Sequence, residues 1–272
     1  MSHTDTQRVT FAGRVYRLVD LSQRISNSTS AIEPMPHHIE YTDHRTKAKN
    51  MSYMLGEGVH WPHECAAATE VVKLGTHCGT HVDAPYHYWP ESADGSEATT
   101  IDNVDLGWFA GDGFVLDMTH KKTGEGITDE DVVAGLDRIG YTVKPGDIAL
   151  VRTDTSRRFT EPGYHNAHPG MRRSATEWLI DHGVRLMGID AWGFDRPFDV
   201  MSREYQAGDV DQLWESHLLG REKPYCHIEK LDNLAALPVS HGFHVTAFPV
   251  KIDRASGAWT RVVAWIPEED GK

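Results

Sequence analysis

Between residues 114 and 190 the sequence alternates short apolar runs with amphipathic stretches, and that alternation leaves few folds open. Residues 114–117 form a short apolar run. Thr128 then precedes Asp129, Glu130 and Asp131, followed by apolar Val132, Val133, Leu136 and Ile139. That order predicts an N-cap, an acidic first turn and a helical stripe. Pro145 and Gly146 predict a turn, and residues 148–151 a buried strand. Residues 174–182 predict a second helix closed by Gly183, and residues 185–190 the next strand. Strand, helix, strand, helix, strand at these spacings implies parallel pairing through right-handed crossovers. Residues 15–20 predict an opening strand, and 243–250 and 260–266 closing strands. The reading is one α/β domain over residues 1–272 with a mixed sheet. An irregular N-terminal arm is expected at about residues 22–68, where Pro34 and Pro36 fall in polar sequence without sustained periodicity.

Composition narrows the partners. The formal net charge of -13 lacks the basic footprint that phosphate backbones and anionic membranes require, so nucleic acid and membrane are not expected. No apolar run approaches the roughly 18 residues of a membrane span. Residues 1–7 are polar with no apolar stretch behind them, so no signal peptide is expected. Cys65, Cys78 and Cys226 are widely spaced and odd in number, which fits a reducing cytoplasm better than a disulfide framework.

The 17 histidines are the unusual entry in that composition. His77, His81, Asp83 and His87 crowd into one short segment. Two imidazoles and a carboxylate within seven residues can supply three ligands to a divalent metal, with zinc, manganese or iron favoured over calcium or magnesium. All four positions are odd, so an extended chain would put them on one face. Fully extended, His77 to Asp83 would span roughly 20 Å, whereas metal–ligand bonds are about 2 Å. The chain must therefore fold back, and Gly79 and Pro85 are the residues to bend it. Gly79 and Pro85 also argue against a helix here. The bland alternative is a histidine-rich loop that binds nothing.

Elsewhere the single residues say less. His217 and Glu229 are unremarkable alone, Glu229 reading as a solvated charge and His227 as an ordinary surface or supporting histidine. Asp190 and Asp195 follow an apolar strand and read as structural carboxylates first. Trp61, Trp89, Trp192 and Phe194 could line an aromatic pocket, though each reads more simply as core. Cys78 alternates away from its neighbours and reads as packing.

The pattern His77-x-Gly79-Thr80-His81-x-Asp83-x-Pro85-x-His87 resembles the signature of the cyclase family, which includes kynurenine formamidases and isatin hydrolases. Asp20-Leu21-Ser22, His168-Pro169-Gly170 and Gly188-Ile189-Asp190 are similar to other landmarks of that family, as is the spacing of His217 and Glu229. The resemblance runs from about residue 15 to 266. It implies an α/β fold with a swivelling β/β/α-type core and a homo-oligomer, dimer or tetramer. It implies that His77, His81 and Asp83 hold a first metal. Asp83 would bridge to a second held by His217 and Glu229, giving one or two zinc or manganese ions per chain. His87 would be the catalytic acid–base residue. The implied activity is a hydrolase using metal-bound hydroxide to open an amide, cyclic amide or lactone carbonyl of a small molecule, or a ring-forming cyclase or lyase on the same scaffold. Two rivals are a non-haem Fe(II) oxygenase, from His81-x-Asp83 with a distant histidine such as His241 or His244, and a non-catalytic metal-binding protein. The scarcity of cysteine speaks against a closed structural zinc site.

Overall fold

The computed structural model describes residues 7–268. Residues 1–6, part of the stretch in which no signal peptide is expected, lie outside that span. The strands are β1 (Gln7–Phe11), β2 (Arg14–Asp20), β3 (His38–Thr42), β4 (Thr69–Lys73), β5 (His81–Asp83), β6 (Ala110–Asp117) and β7 (Gly126–Ile127). They continue with β8 (Ile148–Arg152), β9 (Gly170–Met171), β10 (Leu186–Ile189), β11 (Cys226–Glu229), β12 (His241–Thr246), β13 (Gly257–Trp259) and β14 (Val263–Pro267). The α-helices are α1 (His44–Asn50), α2 (Pro85–Tyr88), α3 (Asp129–Ile139), α4 (Arg173–Asp181), α5 (Phe198–Gln206) and α6 (Glu215–Glu222).

Ten strands make one mixed sheet in the order β1-β2-β14-β12-β6-β8-β10-β11-β5-β13. Its centre, β6-β8-β10-β11, is parallel, as the alternation between residues 114 and 190 implies. The flanking pairs are antiparallel. Strand alternation sorts the core onto two faces. Ile148, Leu150, Leu186 and Ile228 join one cluster. Ala149, Val151, Met187 and Ile189 join the other, against Val132 and Leu136 of α3 and Ala175 and Leu179 of α4. Both faces are covered, as buried parallel strands require.

The local signals hold closely. Thr128 caps α3 and Asp131 returns the bond to the Thr128 amide at 2.8 Å, a reciprocal capping box. Gly140 ends the helix in the left-handed region. The closing strands differ from expectation. β12 stops at Thr246, short of Pro249, which has no amide to give a ladder. The run expected at 260–266 begins at Val263, and the residues before it form β13 against β5.

Ile25–Gly75 forms a compact unit of its own, distinct from the unit made by the chain on either side of it. It covers most of the segment read as an irregular arm and is more regular than that. Within it β3 and β4 pair antiparallel, and Asp43 caps α1 by accepting from the Thr46 amide at 2.7 Å. Every residue of β4 is exposed, so no alternation marks it in the sequence. No helix among the described residues is long and apolar enough to cross a membrane.

Candidate metal centre

β5 and β11 run antiparallel, with His81 opposite Glu229 and Asp83 opposite His227. Val82 and Ile228, between them, enter one core cluster. The four polar side chains therefore leave the other face of the pair, as directly opposed neighbours. His81 Nε2 lies 3.2 Å from Asp83 Oδ1 and 3.6 Å from Glu229 Oε2. His227 Nε2 lies 2.9 Å from Asp83 Oδ2 and 3.5 Å from Glu229 Oε1.

The chain folds back before β5 as the length argument demands. Gly79 takes a φ of 62°, and the turn brings His77 Nδ1 to 2.5 Å from Asp83 Oδ1, with His77 Nε2 2.9 Å from Ser256 Oγ. The Thr80 hydroxyl is tied from both sides, accepting from the Gln23 amide at 2.8 Å and donating to the Lys230 carbonyl at 2.5 Å. After β5, Pro85 opens α2, where its missing amide is no loss. That short helix carries His87, whose Nε2 is 3.9 Å from Asp83 Oδ2. His217 arrives on the first turn of α6, with Nε2 3.9 Å from Asp83 Oδ2 and 4.0 Å from Glu229 Oε1.

Each of three imidazoles is turned by a fixed partner on its far nitrogen. His81 Nδ1 is 2.8 Å from the Gly79 carbonyl, so it carries the proton and leaves the Nε2 lone pair to the cluster. His217 Nδ1 is 2.5 Å from Asp195, which also accepts the amides of Ser216 and His217 at 2.7 and 3.2 Å. His227 Nδ1 is 3.1 Å from the Tyr88 hydroxyl and 3.2 Å from that of Tyr225. Both hydroxyls donate to carbonyls, Tyr88 to Asp83 and Tyr225 to Ser216, so they accept from Nδ1. Glu229 is anchored by the Phe194 amide at 2.8 Å. Partners of this kind orient metal-binding histidines and carboxylates.

Electrostatics follow from crowding. Burial would push Asp83 up, but the imidazoles of His87, His81, His227 and His77 hold it well below the usual carboxylate range. Glu229, also pushed up by burial, is held at about 2, with His227 the main opposing partner. Burial would lower His227, and the two carboxylates raise it to about 9. His87 is lowered to about 4, burial outweighing Asp83.

His81 Nε2, Asp83 Oδ2 and His227 Nε2 are buried without a hydrogen-bond partner of sound geometry, although they converge within the cluster. Buried polar atoms are rarely left so. Two carboxylates and several imidazoles around them form a donor set that fits a divalent cation. The ligand-capable atoms fall into two groups that share Asp83: Asp83, His217, His227 and Glu229, and His77, Asp83 and His87.

All six residues singled out in the sequence, His77, His81, Asp83, His87, His217 and Glu229, are thus brought together. Glu229 is 9 % exposed, not a solvated charge, and His227 is wholly buried in the cluster, not a surface residue. The signal for His227 was present, since His227-x-Glu229 repeats the spacing of His81-x-Asp83. Asp190 stays structural, accepting from Thr153 N, Thr153 Oγ1 and Asp154 N at 2.6, 2.6 and 2.9 Å. Phe194 stacks on His227 at 4.3 Å, and Trp89 is 42 % exposed beneath Arg221. Cys78 is buried, and Trp61 belongs to the Ile25–Gly75 unit. Trp214, not marked in the sequence, stacks on His217 at 4.6 Å and meets His87 edge-on at 5.9 Å.

The isatin hydrolase of Roseibium aggregatum is 27% identical over 204 residues, covering 72% of this chain and 73% of that protein. The kynurenine formamidase of Bacillus thuringiensis is 23% identical over 210 residues, covering 75% of this chain and 84% of that one. The structure of isatin hydrolase A from Ralstonia solanacearum superimposes with a TM-score of 0.71 at 25% identity, over 92% of each chain. A family model described as "Putative cyclase" matches residues 19–196. His217, His227 and Glu229 lie beyond that match and join the site through the fold. The match takes in more than half of the sequence, including the whole histidine segment: this chain belongs to the cyclase family.

Proposed function

We propose that this chain is a metal-dependent hydrolase that opens the carbonyl–nitrogen bond of a small amide or cyclic amide. The observation that carries the reading is the buried cluster of Asp83, His217, His227 and Glu229 at the β5–β11 pair, whose ligand-capable atoms face one another. The activities named for the relatives, isatin hydrolase and kynurenine formamidase, support the choice of bond. Two carboxylates and more than two imidazoles exceed what a two-histidine, one-carboxylate oxygenase triad uses.

His77, His81 and Asp83 would hold a first zinc or manganese ion. Asp83 would reach toward a second site made by His217, His227 and Glu229. When bound, such a cation supplies a water of lowered pKa and a Lewis acid for the carbonyl oxygen. The remaining work belongs to the chain. Asp195 and the Gly79 carbonyl hold His217 and His81 in the tautomer that faces the centre. Phe194 N steers one oxygen of Glu229. His87, neutral at pH 7 and 24% exposed at its side chain, is the group able to take a proton at Nε2 and return it to the leaving nitrogen. Trp214 shields His217 and His87 from water on one side.

Elemental analysis of wild type and His81→Ala tests this. One or two zinc or manganese ions per chain, lost in the variant, is the expected result, followed by turnover in an amide and lactone panel. A wild type that takes up no divalent metal after reconstitution would remove the reading.

A further inference from the structure

Lys230 follows the last residue of β11 and is 2 % exposed. Its φ is 57°, in the left-handed region where side chains other than glycine and asparagine are strained. A lysine held there has to gain from its contacts. Its Nζ donates to the His77 carbonyl at 3.2 Å. The ammonium also stands 5.0 Å from the centre of the Trp192 ring, whose face attracts a cation. The Lys230 carbonyl accepts the Thr80 hydroxyl at 2.5 Å, and the Lys230 amide donates to the Ala191 carbonyl at 2.9 Å. His77 and Thr80 bracket the Gly79 turn. One residue just past β11 therefore grips both ends of the loop that delivers His77 and His81, and the strand it follows carries His227 and Glu229.

We propose that Lys230 is a positioning residue that pins the ligand loop at 77–80 to the ligand strand β11 and so sets the spacing of the metal centre. This rests on the metal reading above. Electrostatics oppose the clamp, because an ammonium beside a cation site repels the cation. Removing the charge alone would slow metal release, and removing the clamp would hasten it. The sign of the change separates the two.

Lys230→Met removes the donors and the charge while keeping an unbranched chain. Lys230→Gly removes them too and suits the left-handed backbone, which guards against misfolding. Wild type and both variants are loaded with Mn²⁺ and mixed with excess EDTA. Hydrogen exchange over residues 76–80 is followed in the metal-free chains. Release about 10-fold faster or more in both variants, with faster exchange over 76–80, is the expected result. Release at or below the wild-type rate in Lys230→Gly overturns the clamp, as does unchanged exchange in the loop. If wild type takes up no Mn²⁺ or Zn²⁺, the metal reading itself fails. The exchange measurement needs no metal and still decides whether Lys230 holds the loop.

Discussion

His87, half-buried, and Asp190, buried, are both titratable groups, and their surroundings give them opposite tasks. His87 touches the cluster at 3.9 Å and has solvent on its other side. His87→Ala is expected to lower kcat by roughly 10²–10⁴ while metal content stays at the wild-type level. Loss of metal in that variant would make His87 a ligand instead. Asp190 sits apart under three donors, and burial lifts its carboxyl to about 6 from an ordinary 3.8. A raised carboxyl favours the protonated folded state. Its contribution is fully present below pH 3.8 and is lost as pH rises through about 6. The stability of wild type relative to Asp190→Asn is therefore expected to fall by up to about 3 kcal/mol between those values. Urea unfolding across that range checks it, and a flat difference would refute it. At this scale the sequence was legible where residues act in a local pattern. His81, Asp83 and Gly79 state a fold-back within a few residues. His227 was not legible singly, because its meaning comes from lying opposite Asp83, and that register is set by the sheet.

Among elements, the pairing of β5 with its two neighbours decides the centre. β11 supplies ligands, whereas β13 supplies closeness. A Cβ built on Gly257 would fall 2.7 Å from His77 Cε1, 2.7 Å from the Val82 carbonyl and 3.1 Å from Asp83 Oδ1. The Val82 carbonyl is backbone in a ladder and cannot give way. Gly257→Ala is expected to destabilise the chain by about 1–3 kcal/mol and to lower its metal content, although residue 257 offers no ligand. Denaturant unfolding with metal analysis checks both, and wild-type metal content would show that His77 tolerates displacement. The parallel centre of the sheet was legible because its strands are buried on both faces and its helices carry caps, as at Thr128 and Gly140. The β3–β4 pair was not, because β4 is exposed on both faces and has neither alternation nor an apolar run.

For the molecule as a whole, we propose a homo-oligomer, a dimer or tetramer. The β3 and β4 strands carry Tyr41, Val71 and Val72 at 65 %, 65 % and 49 % exposure. A two-stranded sheet needs an apolar face packed against something to be stable in water. Sedimentation velocity at micromolar concentration is expected to find no stable monomer, and a lone monomer would sink the proposal. The contact between Thr80 and Lys230 joins positions 150 residues apart, and the β5–β11 pair closes a loop of similar length. During synthesis the first half of the centre leaves the ribosome long before the second. In the proposed centre, a nascent chain that ends before residue 217 already carries His77, His81 and Asp83, whereas the site that Asp83 would share with His217, His227 and Glu229 waits for that long loop to close. A cation in that shared site would then enter at the close of folding and not as its seed.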